Sequence, residues 1–198
     1  MTTVGVTGGI GSGKSAFVAR LAEHDGVRVV LADDLAKQLM VEDAEVRSAL
    51  SARFGPETYR PDGALSRSYL AGRVFADPRE LAALNAIVHP AVRRALALEV
   101  DRARADGIDV LVYEAALLFE TGGDAVLDTV VVIDAPEDVR LARAAARDGV
   151  LEDDIRARMR HQIDPADARE RADVVVDNGG DLDALRAAAD ALMRALAA

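Results

Sequence analysis

The sequence predicts an α/β fold with a five-stranded parallel sheet flanked by helices, and three observations predict it. Five short Val-rich runs are bounded by turn or helix-start residues, and helical patterns separate all of them. Aromatics make up only 4% of a chain whose 51% hydrophobic content is carried by Ala, Val and Leu. Uninterrupted apolar runs mark strands buried on both faces, and strand–helix alternation is the pattern of a doubly wound sheet. A chain of 198 residues suffices for one such domain, 1–198, with a smaller insertion.

The first run, residues 3–7, opens into a glycine-rich turn and the helical pattern 16–22. The second, 27–31, is followed by roughly 75 residues before the third, 109–113, far more than the 10 to 12 or so that a minimal crossover needs. That interval holds helical patterns at 33–54, 66–75 and 78–106, broken by Gly55-Pro56 and Arg60-Pro61-Asp62-Gly63. We expect it to form a helical substrate subdomain within 33–106. The fourth run, 129–134, leads into an arginine-rich interval, 136–172, expected as a lid region. A fifth run, 173–177, and an Ala-rich helix, 182–198, close the chain. In such sheets ligands sit at the carboxyl ends of the strands.

The formal net charge of −10 argues against a nucleic-acid partner, whose nonspecific affinity is mostly cationic neutralisation. Without cysteine there is neither a disulfide framework nor a thiolate metal site. The N-terminus shows no signal-peptide pattern, and no apolar run is read as membrane-spanning in length, so the expectation is a cytoplasmic protein without a membrane partner.

Gly8-Gly9-Ile10-Gly11-Ser12-Gly13-Lys14-Ser15 fits G-x-x-x-x-G-K-[ST], with a strand before it and a helix after it. Glycines let the backbone turn its amides onto an anion, the helix N-terminus adds positive potential, Lys14 brings a mobile charge and Ser15 a hydroxyl for Mg²⁺. The motif says nucleotide phosphate; GTPases and motor ATPases share it. Asp33, two residues past the second run, suits either a general base or a helix cap, as does Asp34. Arg140, Arg143 and Arg147 share a helix face at i, i+3 and i+7. From Arg140 to Arg171 eight Arg face seven Asp or Glu in a chain that is otherwise acidic, which fits a phosphate lid or an ordinary solvated face. Glu114 is either a Mg²⁺ carboxylate at a strand end or simply a polar terminus.

The stretch from Thr7 to Ser15 resembles the opening of the dephospho-CoA kinase family, and the resemblance continues in order along the chain. Ala32-Asp33-Asp34-Leu35-Ala36 resembles its Asp-Ala-Asp segment, residues 84–90 its Leu-Asn-x-Ile-x-His-Pro stretch, and residues 116–120 its Pro-Leu-Leu-Phe-Glu stretch. Arg143, Arg147, Gln162 and residues 172–178 complete it. Leu31, Ala16, Ala116 and Ala168 depart from the family pattern. The resemblance implies a P-loop NTPase kinase fold and transfer of the ATP γ-phosphate to the ribose 3′-hydroxyl of dephospho-CoA, the last step of coenzyme A biosynthesis. It implies Lys14, Asp33 and Arg143 as catalytic residues, with Asp33 as the base. ATP falls to Gly11, Ser12, Gly13, Lys14, Ser15, Ala16, Arg147 and Asn178, and Mg²⁺ to Ser15 and Glu114. The acceptor falls to Asp33, His89, Leu118, Phe119 and Glu120. His89 before Pro90 reads as a helix-start residue, and the chain as a monomer or small homo-oligomer.

Overall fold

The computed structural model describes residues 1–74 and 76–197. Strands β1 (Thr2–Thr7), β2 (Val27–Leu31), β3 (Val110–Glu114), β4 (Thr129–Asp134) and β5 (Val174–Asp177) form one sheet, ordered β2-β3-β1-β4-β5. Every pairing is parallel. The chain crosses first towards β2 and later towards β4, so the direction of winding reverses at β1, where a doubly wound sheet opens its ligand crevice. Two strands start one residue later than the hydrophobic pattern suggests. In β5 the reason is visible: Asp173 turns its carboxylate onto the Val130 N–H, at 2.7 Å, and serves as a bracket before the strand.

The chain divides into two compact units, Met1–Leu31 with Val100–Ala198, and Ala32–Glu99. In the first, helices α1 (Lys14–Leu21) and α9 (Leu182–Leu196) pack on one apolar cluster with the central strands. Val4, Val6, Phe17, Leu21 and Ile133 are fully buried there. Asp181 caps α9 through the Ala184 N–H, and Arg20 on α1 grips Asp190 on α9 with two hydrogen bonds, of 2.8 and 2.9 Å. That pairing, helped by His24, holds the Asp190 carboxyl down to about 2. The closing helix ends at Leu196, and the last residue assigned to it, Ala198, lies outside the described residues.

The arginine-rich interval folds as α6 (Glu137–Asp148), α7 (Glu152–Met159) and α8 (Pro165–Arg171). Gly149 ends α6 in the left-handed region at φ 66° and lets the chain reverse. Leu141, Ala144 and Ile155 bury a seam between α6 and α7, joined by Met159 and by Ile10 of the glycine loop.

The second unit holds α2 (Ala32–Glu42), α3 (Ala44–Phe54), α4 (Arg67–Val74) and the start of α5 (Pro78–Ala105). The pattern 33–54 is two helices rather than one, because Asp43 caps α3 by accepting the Val46 N–H at 2.9 Å. The 66–75 pattern ends at Val74, with Phe75 outside the described residues. Val46, Leu50, Phe54, Leu70, Val74 and Ala91 form the core of this unit.

Two readings need correction at α5. Pro90 lies inside one continuous helix, so His89 is mid-helix and does not start one; the helix tolerates the missing Pro90 N–H. By length and composition α5 is also apolar enough to cross a membrane, contrary to the expectation of no such run. Arg93 and Arg94 fall in its middle, and Val88, Ala91, Val92 and Leu96 are buried.

Asp128 staples the start of β1 to the start of β4: it accepts the Thr3 N–H and Oγ1–H, both at 2.8 Å. These bonds hold its carboxyl below the ordinary Asp range. Asp128→Ala leaves the buried Thr3 N–H without a partner and should cost about 1–3 kcal/mol in urea unfolding. A depressed folded-state value makes the contribution full at neutral pH and lost as pH falls through that value, so the difference between variant and parent should shrink in acid. Equal stability at pH 7 would contradict the staple.

Candidate functional site

The glycine loop leaves the carboxyl end of β1 at Thr7 and enters α1 at Lys14. Its conformation is fixed from outside. Gly13 sits at φ 101°, and a Cβ there would fall 2.2 Å from Asn178 Nδ2, which donates to the Ser12 carbonyl at 2.7 Å. A Cβ on Gly9 would fall 2.1 Å from Arg140 Nη1. At Gly13 the positive φ favours glycine, and at Gly9 any side chain would have to displace the Arg140 guanidinium. The loop is therefore gripped by the turn after β5 and by the start of α6.

What remains faces outward. Among the described residues, the amides of Gly11, Gly13 and Ser15 donate no hydrogen bond. Unpaired amides at a helix N-terminus, carrying its positive end, form an anion site. Lys14 Nζ arches back over the loop and donates to the carbonyls of Gly8 at 2.7 Å and Gly9 at 3.2 Å. A polyphosphate fits such a cradle. Ala16 is half-buried against the main core.

The three arginines on the α6 face separate in the structure. Arg140, 7% exposed, lies against Gly9 and donates Nε to the Ala135 carbonyl at 3.0 Å. Arg143 donates to the carbonyls of Asn178 at 2.9 Å and Gly180 at 3.1 Å, clamping the turn after β5. Arg147 is bound to the neighbouring Asp148 at 2.7 Å. Arg147 and Arg158 together hold Asp148 down to about 2. Sequence spacing put all three arginines on one face and left Arg140 undistinguished; its burial beside the loop is a tertiary fact. Arg158 pairs with Asp148, and Arg160, exposed just past the end of α7, lines the cavity described next.

A cavity of about 440 Å³ opens beside Gly8 and Gly9, with Asp134, Arg140, Arg160 and Gln162 among its lining residues. Ala168 lines it too, while Arg169 turns to the carboxylates of Asp134 and Asp177 at 2.8 and 2.7 Å. Glu114 ends β3 in register with Val6 of β1, and Ser15 is exposed at the start of α1. Among the described residues no group of three or more His, Cys, Asp or Glu gathers as a metal cluster.

Leu118 and Phe119 are core side chains, 0% and 5% exposed, and Arg171 lies over the Phe119 ring at 4.4 Å. The Leu118 side chain, fully buried, thus offers no surface for direct contact with an acceptor. Glu120 is exposed and accepts the Ile163 N–H at 2.7 Å. In the second unit, Asp33 and Asp34 share the first turn of α2. Asp34 is paired with Lys37 at 2.8 Å, and Asp33 has no hydrogen-bond or ion-pair partner among the described residues. His89 is partly buried; burial, seconded by Arg93, lowers its pKa and favours the neutral ring.

The family model for dephospho-CoA kinase matches residues 2–184. The dephospho-CoA kinase of Salinibacter ruber is 48% identical over 94% of this chain and 93% of its own. That of Chlorobaculum tepidum is 44% identical over 98% of this chain and 94% of its own. Among solved structures, TT1252 from Thermus thermophilus is similar with a TM-score of 0.80 at 37% identity, covering 98% of this chain and 97% of that one. Shikimate kinase from Acinetobacter baumannii shares the fold, with a TM-score of 0.57 at 15% identity over 99% of this chain and 93% of that one.

Lys14→Ala removes the mobile charge of the cradle and no core side chain. Turnover should fall about a hundredfold or more, with little change in melting temperature. Retention of most of the parent kcat would contradict the assignment of the loop.

Proposed function

This chain belongs to the dephospho-CoA kinase family, and from that premise we propose how its own residues perform the reaction. The activity is ATP-dependent transfer of the γ-phosphoryl group to the ribose 3′-hydroxyl of dephospho-CoA, giving CoA and ADP. The observation that carries it is the match along residues 2–184, joined to a glycine loop held open for phosphate.

In our reading Lys14 and the amides of Gly11, Gly13 and Ser15 hold the ATP phosphates, with Ser12 and Ala16, whose amides donate to the Gly9 and Gly13 carbonyls at 3.1 Å, completing the nucleotide cradle. Arg140, already lying on the loop, adds a fixed charge. The turn at Asn178 passes the adenine, and Arg147 reaches the phosphates once released from Asp148. Ser15 and Glu114 would hold Mg²⁺: both are hard oxygen donors, and that ion commonly takes one or two protein ligands besides substrate phosphates and water. When bound it would neutralise charge on the β- and γ-oxygens.

Asp33 orients the acceptor hydroxyl and takes its proton as the oxygen attacks the γ-phosphorus. The bond to the β–γ bridging oxygen breaks and ADP leaves. The freedom of the Asp33 carboxylate supports this choice over Asp34, which is committed to Lys37. Arg143 meets the transferring charge by exchanging the carbonyls of Asn178 and Gly180 for phosphate oxygens, a planar fork suited to either. His89 and Glu120 contact the acceptor, with Phe119 and Leu118 shaping the wall. Closure of α6–α8 excludes water and so suppresses hydrolysis. The need for ATP and the lack of cysteine favour a cytoplasmic setting.

Asp33→Asn should lower kcat by about 10² to 10⁴-fold with a modest change in KM for ATP, and Asp34→Asn should stay close to the parent. The reverse ranking would identify the other carboxylate as the base. Arg143→Ala should lower kcat/KM by about 10² to 10³-fold, Arg143→Lys should recover little, and Arg158→Ala should change it far less. A rise in KM for ATP with kcat retained would reduce Arg143 to a clamp on the turn after β5.

A further inference from the structure

Gln162, in the linker between α7 and α8, joins two segments that are remote in sequence. Its Oε1 accepts the Ile10 N–H at 2.8 Å, and its Nε2 donates to the Ala116 carbonyl at 3.0 Å. The next residue repeats the link, with the Ile163 N–H donating to Glu120 Oε1 at 2.7 Å. Ile10 is part of the glycine loop, whereas residues 116–120 follow β3 and carry the wall assigned to the acceptor. The Ile10 amide is thus turned away from phosphate duty and used as a handle. Its side chain is held as well, in the seam of Leu141, Ala144, Ile155 and Met159.

A carboxamide suits this place because it presents an acceptor and a donor on separate atoms at one end of a chain long enough to reach both partners. Asparagine is a methylene shorter, and ionised glutamate has no donor for Ala116. Neither the loop nor the turn after β3 shifts alone without breaking a bond to Gln162. Sequence spacing gives no hint of this, since Ile10 and Gln162 stand 152 residues apart.

We infer that Gln162 is a positioning residue that couples acceptor binding to ATP binding. It touches no reacting atom. Acceptor seated against residues 116–120 fixes the linker, the linker holds the Ile10 peptide, and the loop stays in its phosphate-binding shape. ATP then binds with less left to order, and by linkage ATP favours acceptor equally. The inference rests on the assignment of Phe119 and Glu120 to the acceptor wall.

Titration calorimetry with Mg²⁺ and the non-hydrolysable β,γ-imido analogue of ATP tests it, with and without saturating dephospho-CoA. In the parent, dephospho-CoA should tighten the analogue by about fivefold or more. Gln162→Met loses both bonds, and the ratio should fall to within about twofold of one. Gln162→Glu keeps an acceptor for the Ile10 N–H, loses the donor to Ala116 and should also lose the coupling; it decides the matter if the Met variant fails to fold. Parent-like ratios in both variants, or no ratio in a parent that binds both ligands, would overturn the coupling alone. A parent that binds the ATP analogue and never dephospho-CoA would overturn the functional reading and the coupling with it.

Discussion

A glycine loop offers its amides to phosphate only if something else fixes its shape, because the glycines that permit the conformation also permit many others. Here the fixing comes from three sides. Asn178 holds the Ser12 carbonyl, Arg140 lies across Gly9, and Gln162 holds the Ile10 amide. Each reaches the loop from a different later segment: the turn after β5, the start of α6 and the linker before α8. The phosphate site is thus completed only when the C-terminal half of this unit has folded, and changes in those segments act on it without touching the nucleotide.

The same dependence explains the distribution of arginines. In an acidic chain, guanidinium groups are soon claimed by carboxylates, as Arg147 and Arg158 are by Asp148, Arg156 by Glu137 and Arg169 by Asp134 and Asp177. Arg140 and Arg143 escape that fate by binding backbone carbonyls instead. A carbonyl carries no net charge, so among the described residues no paired carboxylate offsets the charge of these two. An exposed pair such as Arg158–Asp148 does little for stability, and the seam of Leu141, Ala144 and Ile155 is what packs α7 on α6.

Much of this was legible in the sequence. Strand periodicity located the sheet to within a residue, because strands buried on both faces are marked by uninterrupted Val runs. The glycine motif announced its chemistry, since few residue types permit that backbone. What the sequence concealed depends on long-range geometry. Spacing put Arg140, Arg143 and Arg147 on one helix face, and only packing separates a residue on the loop from one on a turn and one on a neighbouring carboxylate. Asp43 was a readable cap inside the 33–54 pattern, masked by continuous apolar periodicity on either side. Pro90 resembled a helix start, yet a 28-residue helix with packed neighbours absorbs the loss of one hydrogen bond. The burial of Leu118 within a conspicuous motif could not be read either, because motif residues that shape a wall and those that touch a ligand look alike in one dimension.

A cradle braced by Asn178, Arg140 and Gln162 keeps its remaining amides for phosphate. The most direct test is the stoichiometry of ADP and CoA formed from ATP and Mg²⁺, followed with and without dephospho-CoA. One CoA should form for each ADP, with ADP release nearly absent until the acceptor is added. ADP release at the same rate in both cases, without CoA, would contradict that expectation.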